Sequence, residues 1–258
     1  AIFKEEEKLI GKSPFGGSYG GIVVKKSLSY REANELLELA IDYWKKKGLH
    51  IIYITPKLNY VINSRILEFC LLKNGFNCIN SDATSVIPLV SSDATMSAFT
   101  SSARRHFKKA EKNHIKVELK SQNTEGFWKV LEKTFAKFDV GPTHTKDEWE
   151  FLCQKFPKDI WMDVAYVDEI PIAGIGQVKI DQEVESSFYI LQDPEYQHLQ
   201  GLTKLFFEVI KQAKENKIHD YDLGTSSVNM IPRENIFRFK ESLGAITHLR
   251  NTYKLELK

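Results

Sequence analysis

The sequence has little cysteine, no long apolar run and no strong excess of charge of either sign. Its 258 residues contain three cysteines at widely separated positions, which excludes a disulfide framework and a zinc knuckle. No apolar stretch approaches the roughly 18 residues that a membrane-spanning helix needs. The formal net charge is only +2, so a nucleic-acid partner would need a local basic patch. The simplest interpretation of the three cysteines is that they are buried free thiols in a reducing compartment.

The signatures of several enzyme classes are also absent. The seven histidines are dispersed and none has the spacing of a zinc protease, so we expect no metal site and no bound cofactor. Neither a Gly-x-Ser-x-Gly elbow nor the surroundings of a catalytic cysteine occur. A covalent enzyme intermediate is therefore not expected.

The second half of the chain alternates between helical and extended patterns with clear boundaries. Thr145 and Glu148 form a capping box, and Gly244 closes a short helix. The predicted elements are a strand at 117–119, helices at 125–138 and from 145, strands at 161–167, 171–180 and 184–191, a helix at 202–215, a strand at 218–223, a helix at 234–243 and a strand at 246–257.

The first half repeats the later part of that order. Residues 63–69 before Gly75 parallel residues 234–240 before Gly244. The predicted elements are strands at 2–10 and 19–25, a helix at 30–47 capped by Ser29 and Glu32, a strand at 51–55, a helix at 62–73, a strand at 76–79, a linker at 81–98 with an apolar crossover strand at 86–90, and a basic helix at 97–112. We place the module boundary between residues 92 and 93.

Three stretches, in this order and spacing, resemble one family of transferases. They are SPFGGSYGG at 13–21, SARRHFKKAEK at 102–112, and YDLG at 221–224 followed by FRFKESLGA at 237–245. This arrangement resembles the Fem-like (FemABX, or acetyltransferase 6) branch of the GNAT acyltransferase superfamily. The resemblance implies an α/β fold with tandem GNAT-like modules, in which mixed, mostly antiparallel sheets are flanked by helices. The first module, residues 1–92, is expected to lack its leading elements, whereas residues 93–258 form a complete module that begins with the basic helix.

The same resemblance implies a function. It indicates a bacterial cytoplasmic transferase that forms an amide on an acceptor amine, often that of a peptidoglycan precursor. The donor would be aminoacyl-tRNA or acyl-CoA, so tRNA is one expected partner. Two alternatives stay open: a CoA-dependent N-acyltransferase acting on a sugar or lipid amine, and a non-catalytic binding module with a GNAT fold.

The candidate catalytic residues lie near the end of the chain. In Fem-like enzymes a lysine in a Phe-Lys pair stabilises negative charge during acyl transfer, and Lys240 occupies that position. The alternative is a surface lysine that compensates a helix dipole. Asp222 and Glu241 are candidate general bases, and Arg238, which faces another way on the helix, is a candidate substrate ligand.

The predicted basic helix carries a second candidate site. Arg104 and Lys108 lie one helical turn apart, and Arg105 lies beside them. Five cations against one acid on this helix favour an anion site for a phosphorylated donor or acceptor, because guanidinium groups bind phosphate in a fixed geometry. The alternative is the solvated face of an amphipathic helix.

Four further residues are candidate substrate ligands, and one loop bears on the donor. Gln177, Tyr189 and Asn229 could hydrogen-bond a substrate, and Tyr19, in a Gly-rich segment that is either a phosphate cradle or a turn, could line a cleft. GNAT enzymes that use CoA place a loop with two glycines before the long helix. Here residues 197–202 read QHLQGL, with one glycine, which favours another donor.

Overall fold

A computed structural model describes residues 1–24, 27–58, 65–90, 96–136 and 141–257. The chain forms two compact units. The first contains Ala1–Thr84, Thr225–Arg233 and Thr247–Lys258, and the second contains Ser85–Gly224 and Glu234–Ile246. Residues near the end of the chain therefore complete the first unit, whereas the predicted module boundary assigned everything after residue 92 to one module. The predicted boundary between residues 92 and 93 separates two similar sequence segments and not two compact units, so it stays a prediction.

The first unit is a sheet with two helices. Its strands are β1 (Ile2–Glu5), β2 (Lys8–Ser13), β3 (Ile51–Ile54), the first part of β4 (Asn77–Pro88), and β12 (Ile246–Glu256) in the order β1-β2-β3-β12-β4. Strands β2 and β3 are parallel, and β3 and β12 are antiparallel. Its helices are α1 (Tyr30–Lys46) and α2 (Arg65–Lys73), and they cover a core that includes Leu37, Ile52, Leu71 and Tyr253.

The second unit has a six-stranded sheet covered on both faces. Its strands are the end of β4, β5 (Lys116–Glu118), β6 (Ile160–Val167), β7 (Ile170–Lys179), β8 (Val184–Gln192) and β9 (Asp220–Thr225), in the order β4-β9-β8-β7-β6-β5. Its helices are α3 (Ser101–Lys112), α4 (Thr124–Phe135), α5 (Lys146–Lys155), α6 (Gly201–Glu215) and α7 (Glu234–Ser242), with a 3-10 helix at Pro194–Leu199. The segment between β9 and α7 belongs to the first unit and forms a small hairpin of β10 (Ser227–Val228) and β11 (Ile231–Pro232). Neighbouring residues Val164 and Ala165 point to opposite faces, into a core under α4 and α5 and a core under α3 and α6.

The two units repeat one arrangement around a central strand. In the first, β3 has the parallel strand β2 on one side and β12 on the other. In the second, β9 has the parallel strand β8 on one side and β4 on the other. Each central strand is therefore completed by a strand from the other half of the sequence. The mixed, mostly antiparallel α/β fold predicted from the sequence is confirmed.

Two predictions for the first half were wrong. Residues 19–24 form no strand beyond a single bridge between Gly20 and Pro56, and the second strand instead ends at Ser13. Residues 77–88 form one continuous strand, whereas the prediction had separate strands at 76–79 and 86–90 with linker residues between them. The predicted linker also includes residues 91–95, and the predicted helix at 62–73 includes residues 62–64, which lie outside the described residues.

In the described part of the chain, no helix combines the length and the apolar character needed to cross a bilayer.

Candidate functional site

The parallel strands β8 and β9 separate partway along the sheet of the second unit. Their register contains three pairs and ends with Ser186 opposite Asp222, yet β8 continues to Gln192 and β9 to Thr225. Beyond this point the backbone groups on the two facing edges do not pair with each other. Backbone N–H and C=O groups need partners, so this opening can bind an extended ligand.

A β-bulge lies beside the opening. On the other edge of β8, Gly176 faces Tyr189 and Gln177 faces Ser187, so Phe188 is an extra residue. Its side chain is 41% exposed, which is unusual for an aromatic residue in a central strand. The bulge therefore turns part of β8 out of the regular ladder at the level where β9 departs.

The backbone at the end of β9 is bonded to Lys240, the predicted catalytic lysine. Lys240 Nζ donates a hydrogen bond to the carbonyl oxygen of Gly224 at 2.8 Å. The N–H of Gly224 in turn donates to Asp222 Oδ1 at 2.7 Å. Lys240 is 3% exposed and Asp222 is 1% exposed, so both side chains are held inside the protein near the opening. The alternative of a solvent-exposed, dipole-compensating lysine does not describe this side chain.

The C-terminal end of α7 is fixed by contacts that bury Lys240. Gly244 adopts a positive φ of 86°, and the N–H of Ala245 donates to the carbonyl of Lys240 at 3.3 Å. The N–H of Thr100, the N-cap of α3, donates to the carbonyl of Ser242 at 2.9 Å. The helix that carries Lys240 is thus bonded to the start of the basic helix.

The structure does not bring the other two candidates on α7 to this place. Arg238 and Glu241 are both exposed, whereas Lys240 points inward. The sequence had grouped Glu241 with Asp222 as candidate bases. Asp222 and Lys240 both bond to Gly224, whereas Glu241 is exposed to solvent.

Gln177 is part of a buried polar chain. Its Nε2 donates to Asp163 Oδ2 at 2.7 Å, and its Oε1 accepts from the hydroxyl of Tyr221 at 2.8 Å. The N–H of Lys120 also donates to Asp163, at 2.8 Å. Burial raises the pKa of Asp163 to about 6, although these hydrogen bonds and one from Trp161 oppose the shift. In this structure Gln177 is occupied by protein partners rather than open to a substrate.

Asp163 was missed by the sequence analysis. A signal was available, because an aspartate in the middle of an apolar strand is unfavourable unless its carboxylate finds donors. The sequence does not show which donors they are, since Gln177 lies on the next strand and Tyr221 lies more than 40 residues further along.

Tyr189 is also engaged inside the protein. Its hydroxyl lies 3.0 Å from His144 Nδ1 and accepts the N–H of His144 at 3.2 Å. Its ring packs against Trp149 at a centroid distance of 5.0 Å. Burial raises the pKa of Tyr189, although hydrogen bonds from Thr143 and His144 oppose this. The residue supports the sheet face beneath α5 next to the bulge.

The basic helix α3 presents a solvent-exposed cationic face. Arg105, Lys108, Lys109 and Lys112 are exposed, and in the part of the chain that the structure describes none of them forms an ion pair. Arg104 differs, because its Nη1 donates to the carbonyl of Phe99 at 2.5 Å at the start of the same helix. Of the three predicted anion ligands, Arg105 and Lys108 are therefore available to a ligand, whereas Arg104 is partly used to brace the helix.

Two predicted ligands lie in the first unit. Arg250 stacks over the ring of Tyr19 at 5.8 Å. The exposed Asn229 donates its N–H to Asp82 at 3.2 Å, one of several hydrogen bonds that lower the pKa of Asp82 against the opposing effect of burial.

The Gly-rich segment uses its backbone amides within the fold. The N–H of Gly20 donates to the carbonyl of Thr55 at 2.7 Å, and the N–H of Gly21 donates to Ser13 Oγ at 2.8 Å. These two amides cannot also cradle a phosphate. The interpretation of this segment as a turn is the one that the geometry favours.

The N-terminus of α6 is closed to a large anion. Gly201 is buried against Ile172, and a side chain added at Gly201 would lie 2.6 Å from it. The N–H of Leu202 faces Gln192 Oε1 at 3.4 Å. The carboxylates of Asp193 and Glu195, both bound to Lys133, lie just upstream. A helix N-terminus used for pyrophosphate needs free N–H groups and no nearby anions.

Among the described residues, no group of three or more His, Cys, Asp or Glu side chains is arranged to hold a metal ion.

Comparison with known proteins identifies the fold. The fold is similar to that of the solved structure of FemX. The two superpose with a TM-score of 0.74 at 13% sequence identity, and the match covers 99% of this chain and 83% of FemX. A domain assigned to a lysylphosphatidylglycerol synthetase from Agrobacterium fabrum matches with a TM-score of 0.63 at 11% identity, covering 98% of this chain and 79% of that one. L-PGS from Bacillus licheniformis matches with a TM-score of 0.59 at 12% identity, covering 99% and 79%. No curated protein sequence matches.

A family model supplies the assignment that these distant structures do not. The model described as an acetyltransferase (GNAT) domain matches residues 97–240, more than half of the chain. The match begins just before the basic helix and ends at Lys240, so it includes the opening between β8 and β9. The chain therefore belongs to the acetyltransferase 6 family of GNAT domains, with the Fem-like fold that its three sequence stretches predicted.

Proposed function

We propose that this protein transfers an aminoacyl group from aminoacyl-tRNA to the amine of an acceptor such as a peptidoglycan precursor. The observation that carries the proposal is the buried ammonium of Lys240 at the open end of β9, where two parallel strands separate. An extended aminoacyl ester can lie along such an opening, where β8 and β9 no longer pair with each other. The carbonyl carbon then lies near a fixed positive charge.

The reaction needs few chemical groups from the protein. The acceptor amine attacks the ester carbonyl, a new C–N bond forms, and negative charge develops on the carbonyl oxygen. The C–O bond then breaks, the ribose hydroxyl leaves, and the proton lost by the amine is passed to it or to solvent. Lys240 stabilises the charge on oxygen in a site from which water is excluded. Positioning of the two substrates supplies much of the remaining rate.

The basic face of α3 supports a polyanionic donor. Arg105, Lys108, Lys109 and Lys112 form a row of exposed cations on a helix that is bonded through Thr100 to α7. Such a row binds successive phosphates of a nucleic acid backbone. A small substrate with one phosphate would not use cations spread along about two turns of helix.

The start of α6 argues against CoA as the donor. The pyrophosphate of CoA would meet the buried Gly201 and the side chain of Gln192, whose Oε1 already faces the N–H of Leu202. A pyrophosphate site at a helix N-terminus needs free N–H groups. The CoA-dependent alternative therefore has less support than aminoacyl-tRNA.

The test combines a donor screen with one substitution. Aminoacyl-tRNA and acyl-CoA donors are each offered with amine acceptors, including UDP-linked muropeptides, and amide product is measured. We expect transfer from aminoacyl-tRNA only. Lys240→Met, which keeps the length of the side chain and removes its charge, should lower turnover by about 10²–10³.

A lysine near the end of another helix provides the matched control. Lys155 lies in the last turn of α5 and is exposed, so Lys155→Met should leave turnover unchanged. Transfer from acyl-CoA at a comparable rate would contradict the choice of donor. A Lys240→Met variant that keeps a turnover within about threefold of the wild type would contradict the role of the ammonium.

A further inference from the structure

We infer that Asp222 is a positioning residue for Lys240 and not the general base of the reaction. It acts through Gly224, whose peptide it holds in the orientation that receives the lysine. This inference rests on the proposed function of Lys240 and assigns the neighbouring carboxylate a different role from the one that the sequence indicated.

The sequence Asp222-Leu223-Gly224 forms a local turn at the end of β9. Asp222 Oδ1 accepts the N–H of the residue two positions later at 2.7 Å, the pattern by which aspartate side chains stabilise turns. Gly224 has a φ of 76°, a conformation that other residues adopt only with strain. The carboxylate thus favours a backbone conformation that the strand alone would not keep.

That conformation directs the carbonyl of Gly224 at the lysine. Lys240 Nζ donates to this oxygen at 2.8 Å, and Lys240 is itself 3% exposed. A flexible lysine has four rotatable side-chain bonds, so a buried ammonium keeps one position only where the surrounding acceptors are fixed. Because the Gly224 carbonyl is an acceptor for Lys240, its orientation contributes to where the positive charge lies.

The same contacts disfavour Asp222 as a base. A general base must reach the proton that it removes, within hydrogen-bond distance or through one water. The Asp222 side chain is 1% exposed, and one of its oxygens is already bonded to Gly224. A positioning residue needs only an oxygen that accepts a hydrogen bond, which an asparagine also provides.

The experiment uses Asp222→Ala, Asp222→Asn, Lys240→Met and the double variant Asp222→Ala with Lys240→Met, in the full chain. In the aminoacyl transfer assay, Asp222→Ala should lower turnover at least about tenfold with little change in KM for the donor, because the charge acts on the transition state. Asp222→Asn should stay within about threefold of the wild type, since it keeps the acceptor oxygen. The double variant should be no slower than Lys240→Met, because both changes remove the same interaction.

Three kinetic results would overturn the inference. Asp222→Asn as slow as Asp222→Ala would indicate a base, and so would multiplied losses in the double variant. Normal turnover in Asp222→Ala beside a slow Lys240→Met would remove Asp222 from the mechanism and leave the proposed function intact. Normal turnover in Lys240→Met would instead count against the proposed function.

A structural measurement tests the inference without any substrate. In a crystal structure of Asp222→Ala, Gly224 should leave its positive φ and Lys240 Nζ should move out of hydrogen-bond distance of the Gly224 oxygen. An unchanged 2.8 Å contact would refute the inference. If Asp222→Ala does not fold, Gly224→Ala strains the same turn, and its new side chain would meet only the Ser187 carbonyl at 3.9 Å; it should displace Lys240 in the same way.

Discussion

The carboxyl group of Asp163 gives the protein a pH-dependent stability at the scale of one residue. Its pKa rises from an ordinary 3.8 to about 6 because it is buried, so the folded state holds a proton that the unfolded state releases between these values. Stability then falls as the pH rises through this window and is constant above it.

Asp163→Asn should remove this dependence. The asparagine is neutral at every pH, and the amide of Gln177 can rotate to keep their hydrogen bond. Relative to the wild type, we expect the variant to gain up to about 3 kcal/mol between pH 4 and pH 7, measured by urea unfolding. Asp159→Asn, at an exposed position just before β6, is the control and should follow the wild type. A constant difference between the two proteins across this range would contradict the prediction.

Gly244 combines a strained backbone with a close contact. Its φ is 86°, and an added side chain would lie 2.8 Å from the side chain of Ala98 and 3.0 Å from its carbonyl oxygen. Gly244→Ala should therefore destabilise the protein by more than the roughly 1–2 kcal/mol of a left-handed alanine alone. Gly48→Ala is the matched control, because Gly48 has a φ of 72° and open space around it. Equal losses of Tm in the two variants would show that the Ala98 contact has no effect.

Single residues also show where sequence reasoning ends. The family resemblance identified Lys240, and the structure buries its ammonium at the end of β9. Gln177 was named as a substrate ligand because its type and strand position allowed it, yet its partners Asp163 and Tyr221 come from other strands. Hydrogen bonds between distant strands depend on register, which one sequence does not reveal.

At the scale of single elements, helices were predicted more accurately than strands. Both predicted capping boxes, at Ser29 with Glu32 and at Thr145 with Glu148, are present with reciprocal hydrogen bonds. Helix caps depend on residues three positions apart and are visible in the sequence. The strand β4 was read partly as a linker, because its polar residues bond to distant partners, such as Ser81 to Asn251.

The basic helix α3 is the element whose role is most directly testable. Arg105→Glu combined with Lys108→Glu should weaken binding of tRNA, and the dependence of affinity on salt concentration should become shallower, because fewer counterions are released. Lys45→Glu with Lys46→Glu, at exposed positions in the last turn of α1, gives the same change of charge elsewhere. Filter binding between about 50 and 200 mM salt provides the measurement. Equal losses in both double variants would mean that only net charge matters.

At the scale of the whole molecule, helices α2 and α7 end in the same way. Their ends pair Lys240 with Leu71, two residues away from the pairing that the predicted parallel of 63–69 with 234–240 gives. The helices α2 and α7 both end two residues before a glycine with positive φ, at Gly75 and Gly244. In α2 the carbonyl of Leu71 accepts the N–H of the residue after the glycine, as the carbonyl of Lys240 does in α7. The buried Leu71 thus occupies the place of Lys240 in the first unit. An apolar side chain there cannot stabilise an oxyanion, so the proposed chemistry belongs to the second unit.

The similarity of the two sequence segments did not predict that each central strand, β3 and β9, would lie beside a strand from the other half of the chain. The sequence showed that two similar segments exist, and the element order of the second half agrees with the structure apart from the small hairpin of β10 and β11. It did not show that β12 would lie beside β3, since pairing between strands almost 200 residues apart leaves no local pattern. The duplicated segments and the compact units therefore do not have the same boundaries.

The pairing of β12 with β3 has a consequence for biosynthesis. The ribosome delivers the chain from its N-terminus, so β1, β2, β3 and their helices emerge long before the strand Ile246–Glu256. Until that strand arrives, β3 has one open edge, and Ile52 and Ile54 lack the packing of Tyr253 and Leu255. An unpaired edge with apolar neighbours favours association with other chains. The segment that contains β3 is synthesised before β12, yet it reaches its native pairing only after that later strand has been made.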